Sequence, residues 1–291
     1  MTTTSQESLR KKITTRSLRE MKLRNEPITM LTAYDYGTAM AVDRAGIDTI
    51  LVGDSLGMVV LGYATTLPVT MEDMLHHCRA VARGAQYALL IGDMPFMSYQ
   101  ISVEDAVRNA GRFLQEAGMD AIKLEGGRER IDSVRAIVSA GIPVMGHLGL
   151  TPQSVHQFGG FRAQGKEPAA AKRLVEDALL LEEAGCFSLV LESIPSRLGK
   201  LVRERLTIPT IGIGAGPDCD GQVLVTHDLL GMFDRFTPRF VKRYAELHQA
   251  MDAAFTSFRA DVVEKTFPTA AHSVSMDDEH WDALIKSLEE R

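Results

Sequence analysis

The sequence predicts one α/β domain, a closed (βα)8 TIM barrel, and two observations support this prediction. Eight short apolar runs have the length of buried parallel strands, and helical patterns lie between most of them. Eight such units in a chain of 291 residues favour a closed barrel over an open doubly wound sheet. We expect strands near residues 29–34, 48–53, 88–92, 120–124, 142–146, 187–191, 208–213 and 222–225.

The helix boundaries follow a repeated pattern. At four places an Ala-Gly pair ends a helical pattern and an apolar run follows at once, as expected where glycine closes a helix in the left-handed conformation. The four glycines are Gly46, Gly118, Gly141 and Gly185. Thr70 with Asp73, and Ser102 with Asp105, have the spacing of helix-capping pairs. These signals predict repeated αβ units.

Both ends of the chain extend the predicted barrel. A basic N-terminal arm leads into a short helix, and the acidic residues Glu7 and Glu20 argue against a mitochondrial presequence. Beyond the eighth strand, residues 238–264 have an amphipathic helical pattern, and a polar tail ends in a helix-like stretch over 277–290. We expect a single barrel domain over 1–267, including the N-terminal helical arm, and a tail over 268–291, with a C-terminal helical extension.

Composition excludes several classes of function. The formal net charge of −6 gives no basic surface for nucleic acid. The three cysteines are far apart, which argues against a disulfide framework and favours the reducing cytoplasm. No apolar run is long enough to cross a bilayer. The expected partners are therefore small molecules.

Carboxylates follow three successive strands. Asp54, Asp93 and Glu125 come where the second, third and fourth apolar runs end. In a parallel barrel these ends share one rim, where barrel enzymes carry their active sites. Adjacent carboxylates repel each other, and a bound hard cation such as Mg²⁺ relieves that repulsion. Either aspartate alone is as consistent with capping of the next helix.

Three further polar residues belong to the same rim. Lys123 faces the same side as Glu125, where it can bind a substrate carboxylate or form a structural ion pair. Glu192 ends the sixth strand and, if partly desolvated, suits a general base; a solvated loop position is the alternative. His147 ends the fifth strand, where it can orient the substrate or serve only a structural role.

Two loops carry weaker signals. The glycines at 212, 214 and 216 follow the seventh strand, where barrels often bind phosphate, but they also permit close packing. The loop over 149–168 is long and shows no periodicity, which is typical of lids and binding loops.

Together these residues resemble the ketopantoate hydroxymethyltransferase family, from about Lys12 to Ser273. The most specific runs are Gly-His-Leu-Gly-Leu-Thr-Pro-Gln at 146–153 and Val-Gly-Asp-Ser-Leu-Gly-Met at 52–58. Further matching segments are 31–35, 66–70, 93–97, 123–127 and 212–216. The family is a (βα)8 barrel related to the phosphoenolpyruvate mutase and isocitrate lyase enzymes.

The resemblance implies an activity. Members of the family transfer a hydroxymethyl group from 5,10-methylenetetrahydrofolate to 3-methyl-2-oxobutanoate through a metal-stabilised enolate. The product is 2-dehydropantoate, on the route to pantothenate and coenzyme A. The family assembles as a homodecamer, a pentamer of dimers.

The resemblance also implies residue roles. Asp54 and Asp93 would hold Mg²⁺, with Glu125 as a direct or water-mediated third ligand. Ser55 and Lys123, together with the two aspartates, would bind the oxoacid, and we add His147 to this group. Glu192 would accept the proton.

Two departures from the family pattern stand out. Ala64 replaces an acidic residue common in the family, and the tail beyond Ser273 is longer. Two other interpretations stay open: a related metal-dependent carbon–carbon lyase and an inactive barrel scaffold. The chain lacks the Lys-Lys-Cys-Gly-His loop of several such lyases, and a scaffold would be expected to have lost the carboxylates that are present here.

Overall fold

The computed structural model describes residues 10–290 and confirms the predicted barrel. Within these residues, eight parallel strands pair in chain order, and the eighth closes onto the first. The strands are β1 Ile28–Thr32, β2 Thr49–Val52, β3 Leu89–Asp93, β4 Ala121–Lys123, β5 Val144–Gly149, β6 Ser188–Glu192, β7 Thr210–Ile213 and β8 Gly221–Leu224. Each lies within a few residues of its predicted position.

Helices connect the strands on the outside of the barrel. Over the same described residues, the α-helices are α1 Thr15–Leu23, α2 Tyr36–Arg44, α3 Leu56–Val59, α4 Met71–Gly84, α5 Val103–Ala117, α6 Ile131–Ser139, α7 Val155–Phe158, α8 Pro168–Glu183, α9 Ser196–Arg205, α10 Thr226–Leu229, α11 Leu247–Glu264 and α12 Asp278–Glu289. The predicted N-terminal helix is α1; the part of the predicted arm before residue 10 lies outside the described residues.

The predicted helix boundaries are confirmed. Thr70 forms a capping box with Asp73, and the Ser102 side chain accepts a hydrogen bond from the backbone N–H of Asp105. All four glycines of the Ala-Gly junctions have positive φ, from +69° at Gly118 to +101° at Gly185. Glycine occupies this conformation without the steric cost that a Cβ adds.

Strand alternation divides the apolar residues into two cores. Side chains such as Ile91, Ala121, Met145 and Val190 point into the barrel and pack with Leu18 of α1. Their neighbours point outward into a second core, against the helices. Because side chains alternate along a strand, the position two residues beyond an inward apolar residue also faces the barrel interior. This rule places the polar residues described below.

The C-terminal part of the chain differs in detail from the prediction. The helix predicted over 238–264 begins only at Leu247. The backbone N–H of Tyr244 instead donates to the Leu229 carbonyl, so the chain before Leu247 follows the barrel rather than a helical path. The predicted terminal helix is α12. The aperiodic loop over 149–168 contains the 3-10 turn Pro152–Ser154 and the one-turn helix α7.

The chain forms two compact units. The first extends to Tyr244 and contains the whole barrel, and the second begins at Ala245 and contains α11 and α12. Neither helix of the second unit buries a residue. The domain boundary predicted between residues 267 and 268 falls within the second unit and stays a prediction. Among residues 10–290, no helix has the length and apolar character needed to span a membrane.

Candidate active site

One cavity of about 630 Å³ contains every polar residue that the sequence analysis selected. It opens at the carboxyl ends of the strands. The selected residues that line it are Asp54, Ser55, Asp93, Lys123, Glu125, His147 and Glu192. The rim predicted from strand ends therefore exists as a single enclosed site.

Strand geometry explains this convergence. Asp93, Lys123, His147 and Glu192 each lie two residues beyond an inward apolar residue, at Ile91, Ala121, Met145 and Val190. The register pairs Asp93 with Lys123, which sets these two side chains at similar heights. His147 pairs with Val190, two residues before Glu192. The polar residues therefore form a layer directly above the apolar barrel core.

The carboxylates lie close enough to interact. The Asp54 backbone N–H donates to Asp93 Oδ2 at 3.1 Å. Burial and the charge of Asp93 raise the pKa of Asp54 to about 7, although Lys123 opposes this shift. Burial also raises the pKa of Glu125 well above its ordinary value. Three buried acids so arranged cannot all ionise without compensating positive charge.

Helix capping does not account for the two aspartates. Helix α3 begins after Ser55 and has no side-chain cap hydrogen bond, so Asp54 does not cap it. Asp93 is the last residue of β3, and its Oδ2 faces the Asp54 backbone. The sequence left open whether these aspartates cap helices or belong to one site. The structure favours a site that the two aspartates share.

Lys123 supplies part of the compensating charge. Its Nζ lies 2.8 Å from Asp93 Oδ1 and 3.9 Å from Glu125 Oε1. Burial disfavours the ammonium, but the carboxylates of Asp93, Glu125 and Asp54 outweigh that cost and raise the pKa of Lys123. Lys123 is therefore a permanent cation at the base of the cavity.

His147 lies between Lys123 and Glu192. Burial and the Lys123 charge lower the pKa of His147 well below its ordinary value, so the ring is neutral. Its Nδ1 lies 3.2 Å from Lys123 Nζ and accepts from that ammonium, which leaves the proton on Nε2. Nε2 lies 3.2 Å from Glu192 Oε2 without forming an aligned hydrogen bond.

Glu192 differs from the other carboxylates in its setting. Its side chain keeps 15% of its surface exposed, against 2–4% for Asp93, Lys123, Glu125 and His147. Burial raises the pKa of Glu192 to about 7, and the Lys123 charge opposes the shift. A carboxylate with this pKa, facing the cavity, has the properties of a general base at neutral pH.

The donor set fits a hard cation. Glu125 Oε1 is buried without a hydrogen-bond partner, and a buried carboxylate oxygen of this kind is rare unless an ion or water binds it. Asp93 Oδ1 has the Lys123 ammonium as its partner. Among residues 10–290, however, no three His, Cys, Asp or Glu side chains are already assembled around a common point. The Lys123 ammonium lies between the carboxylates instead.

Sequence reasoning missed several residues that support this site. Gln153 forms hydrogen bonds to the carboxylates of Asp54 and Glu125, and the Tyr99 hydroxyl accepts from the Glu125 backbone N–H. The Tyr34 hydroxyl lies 2.8 Å from Ser55 Oγ. Gln153 belongs to the specific run at 146–153 but had no assigned role. Tyr34 lies just after β1 in the matching segment 31–35, and it also had no assigned role.

The remaining lining is largely apolar. Leu150, Phe161 and three phenylalanines of the segment over 233–240 line the cavity, as does Ala64. The departure from the family pattern at Ala64 therefore touches this cavity. A second cavity of about 870 Å³ lies beyond Glu125, which lines both.

The glycines after β7 are closely packed. A Cβ on Gly214 would lie 2.8 Å from Phe240 Cδ1, and a Cβ on Gly216 would overlap Ser196. Close packing therefore explains two of these glycines. Phosphate binding at this loop stays a prediction.

Fold and site define a class: a (βα)8-barrel protein with a buried carboxylate, lysine and histidine site at the carboxyl ends of its strands. The ketopantoate hydroxymethyltransferase family model matches residues 12–270. The 3-methyl-2-oxobutanoate hydroxymethyltransferase of Syntrophus aciditrophicus is 61% identical, covering 92% of this chain and 99% of its own. That of Syntrophomonas wolfei is 58% identical, covering 94% and 99%. The chain belongs to the ketopantoate hydroxymethyltransferase family.

Solved structures place the fold in a wider group. Phosphonopyruvate hydrolase aligns with a TM-score of 0.60 at 14% identity, covering 96% of this chain and 99% of its own. A second structure of that hydrolase is a complex with oxalate and Mg²⁺. A 2,3-dimethylmalate lyase of the phosphoenolpyruvate mutase and isocitrate lyase superfamily aligns with a TM-score of 0.56 at 16% identity, covering 94% and 96%. These likenesses confirm the predicted barrel fold. The relation to the superfamily stays a prediction.

Proposed function

We propose that this protein transfers a hydroxymethyl group from 5,10-methylenetetrahydrofolate to 3-methyl-2-oxobutanoate, forming 2-dehydropantoate. The proposal rests on the arrangement of the charged residues in the cavity of about 630 Å³. Asp54, Asp93 and Glu125 surround the Lys123 cation, whereas Glu192, with a pKa of about 7, faces them across His147. Such a site binds an anionic oxoacid and removes a proton from it. The name of the relatives supports 3-methyl-2-oxobutanoate as the acceptor. The family resemblance implies 5,10-methylenetetrahydrofolate as the donor.

Substrate binding falls to Lys123 and Ser55. The Lys123 ammonium offers a charged donor to the carboxylate of the oxoacid. Ser55 lines the same cavity, and its hydroxyl pairs with Tyr34, so its orientation is restricted. The apolar residues that line the cavity suit the branched alkyl group of the substrate.

Proton transfer falls to Glu192. The proton at C3 of an oxoacid becomes acidic because its removal gives an enolate. Glu192 accepts that proton, and the neutral His147 beside it holds an N–H towards the carboxylate. C3 then forms the new carbon–carbon bond to the one-carbon unit, whose two bonds to the folate nitrogens break. Water supplies the hydroxyl oxygen, and tetrahydrofolate leaves. The buried setting of the charged residues limits the access of bulk water to the enolate.

We assign Mg²⁺ to Asp54 and Asp93, with Glu125 as the third ligand. The unpartnered Oε1 of Glu125 and the raised pKa values of Asp54 and Glu125 support this assignment. When bound, the cation supplies Lewis-acid stabilisation of negative charge on the oxoacid. The oxalate and Mg²⁺ complex of phosphonopyruvate hydrolase shows that a protein of this fold accommodates both groups.

Location and assembly complete the proposal. A cytoplasmic enzyme fits the reduced state of all three cysteines. The family resemblance implies a homodecamer, a pentamer of dimers. Light scattering coupled to size-exclusion chromatography tests this assembly: we expect a particle of ten chains, and a monomer or dimer would contradict it.

Direct assay of the product tests the proposed function. Purified protein with 3-methyl-2-oxobutanoate, 5,10-methylenetetrahydrofolate and Mg²⁺ is expected to yield 2-dehydropantoate, detected by mass spectrometry. Asp93→Ala is expected to abolish this turnover while the far-UV circular dichroism spectrum is retained. Wild-type turnover that survives EDTA, with no metal left by elemental analysis, would defeat the metal assignment. No product from folded, Mg²⁺-loaded protein would favour the lyase or scaffold interpretation.

A further inference from the structure

Gln153 lies in the wall between the two cavities and reaches the carboxylates from outside. It belongs to the 3-10 turn Pro152–Ser154 that follows β5, and only 6% of its surface is exposed. Its side-chain Nε2 donates to Asp54 Oδ2 and to the Met94 carbonyl, each at 2.9 Å. Its backbone N–H donates to Glu125 Oε2 at 3.0 Å. One buried residue therefore contacts two of the three proposed cation ligands.

The hydrogen-bond network fixes the orientation of this amide. Gln153 Oε1 accepts from the Tyr99 hydroxyl at 2.7 Å and from Gln100 Nε2 at 3.3 Å. The Tyr99 oxygen in turn accepts from the Glu125 backbone N–H at 3.1 Å. Nε2 faces two groups that only accept, so a flipped amide would lose its bonds to Asp54 and Met94.

The network leaves one oxygen of each carboxylate for the cavity. Gln153 occupies Asp54 Oδ2 and Glu125 Oε2, and Glu125 Oε1 has no hydrogen-bond partner. Asp54 and Glu125 follow different strands, and their charges repel. Partners that hold the outer oxygens of carboxylate ligands set the direction of the inner ones and raise metal affinity.

We propose that Gln153 is a positioning residue that orients Asp54 and Glu125 for binding of the divalent cation and the oxoacid. The inference rests on the proposed function. Gln153 does not touch the reacting atoms, because it reaches the cavity only through the two carboxylates. Tyr99 acts one step further out by holding Gln153 Oε1.

The test compares two Gln→Met variants of the same loop. Gln153→Met keeps the length of the side chain but removes both donors, whereas Gln157→Met makes the same change at an exposed position of α7. Isothermal titration calorimetry measures the Kd for Mg²⁺ with 3-methyl-2-oxobutanoate present. We expect Gln153→Met to weaken Mg²⁺ binding by about 10- to 100-fold. Gln157→Met is expected to match the wild type, and both variants should keep the wild-type circular dichroism spectrum.

A second variant covers the case in which Gln153→Met does not fold. Tyr99→Phe removes the hydroxyl that holds Gln153 Oε1 and is expected to weaken Mg²⁺ binding in the same direction by a smaller factor. A wild-type Kd for Mg²⁺ in folded Gln153→Met, or in Tyr99→Phe when it alone folds, overturns the inference, even if the melting temperature falls. Wild-type protein that binds no Mg²⁺ overturns the proposed function as well.

Discussion

Glu192 illustrates how position within one cavity separates the roles of chemically similar residues. It shares Lys123 as a neighbouring charge with Asp54 and Glu125, yet it lies on the far side of His147 and keeps part of its surface exposed. It has no buried carboxylate as a close partner and can exchange protons with the cavity. Burial alone is the cause that raises its pKa to about 7. Glu192 and the proposed cation ligands thus differ in the charged groups that surround them rather than in residue type.

Replacing Glu192 tests its role as the base. Glu192→Gln keeps the size of the side chain but removes the proton acceptor, so we expect the rate of C3 proton exchange to fall by about 10²- to 10⁴-fold. Oxoacid binding, measured by calorimetry with Mg²⁺ present, is expected to stay within a few-fold of the wild type. Undiminished exchange in the variant would assign the base to another residue.

The pH profile offers an independent check on the same residue. Since only the ionised carboxylate accepts a proton, and its pKa is raised to about 7, the exchange rate should be half-maximal near pH 7. It should level off about one pH unit higher, where nearly all of the carboxylate is ionised. Measurements of exchange between pH 5 and 9 at saturating Mg²⁺ would reveal this transition. A rate that is already constant from pH 5 upward would show that the group that titrates has an ordinary carboxylate pKa.

Among the elements, the strands were predictable and the loops were not. Asp93, Lys123 and Glu192 could be placed from sequence because an apolar run fixes a strand, and alternation fixes which side chains face the interior. Gln153 and Tyr99 come from irregular segments. The Gln153 contact with Asp54 joins residues 99 positions apart, and no local pattern encodes such a pairing.

The end of β5 shows how closely one element constrains the site. Gly149 has a φ of +98° and pairs with Glu192, and a Cβ there would overlap the Glu192 carbonyl oxygen. Gly141 has a similar φ of +86°, but a Cβ added to it would meet no atom within 4 Å. A side chain at Gly141 would therefore meet only the strain of a positive φ. A side chain at Gly149 would meet that strain and a steric clash as well.

Alanine at these two glycines is expected to give different losses of stability. Gly141→Ala should lower the free energy of unfolding by about 1–2 kcal/mol, the cost of a left-handed residue that carries a Cβ. Gly149→Ala should cost about 1–3 kcal/mol more, because the Glu192 backbone must move. Urea denaturation measures both values, and C3 exchange should fall only in Gly149→Ala. Equal losses of stability would contradict the close contact.

In the whole molecule, the residues that line the two cavities belong to the barrel unit and not to the C-terminal unit. Every residue that lines either cavity lies at or before Phe240, inside the first unit. The family model ends at residue 270, before α12 begins. The overall fold was predictable because the same strand and helix pattern repeats along the barrel. The boundary after Tyr244 was not predictable, because the helical pattern over 238–264 continues across it.

Removal of the tail tests this separation. A chain that ends at Ser273 lacks α12 but keeps all cavity residues, so we expect its Kd for Mg²⁺ and its exchange rate to stay within about twofold of the wild type. Light scattering of the same sample reports any change in assembly. Loss of exchange in a folded truncated protein would show that the tail contributes to the site.

Proton NMR of 3-methyl-2-oxobutanoate in D₂O, with purified protein and Mg²⁺, tests whether this cavity forms an enolate. We expect the C3 proton signal to disappear with the wild-type protein. We expect EDTA to prevent this loss, and the Glu192→Gln variant to retain the signal. A C3 signal that persists with folded, Mg²⁺-loaded wild-type protein, with and without tetrahydrofolate, would contradict the claim that this cavity forms an enolate.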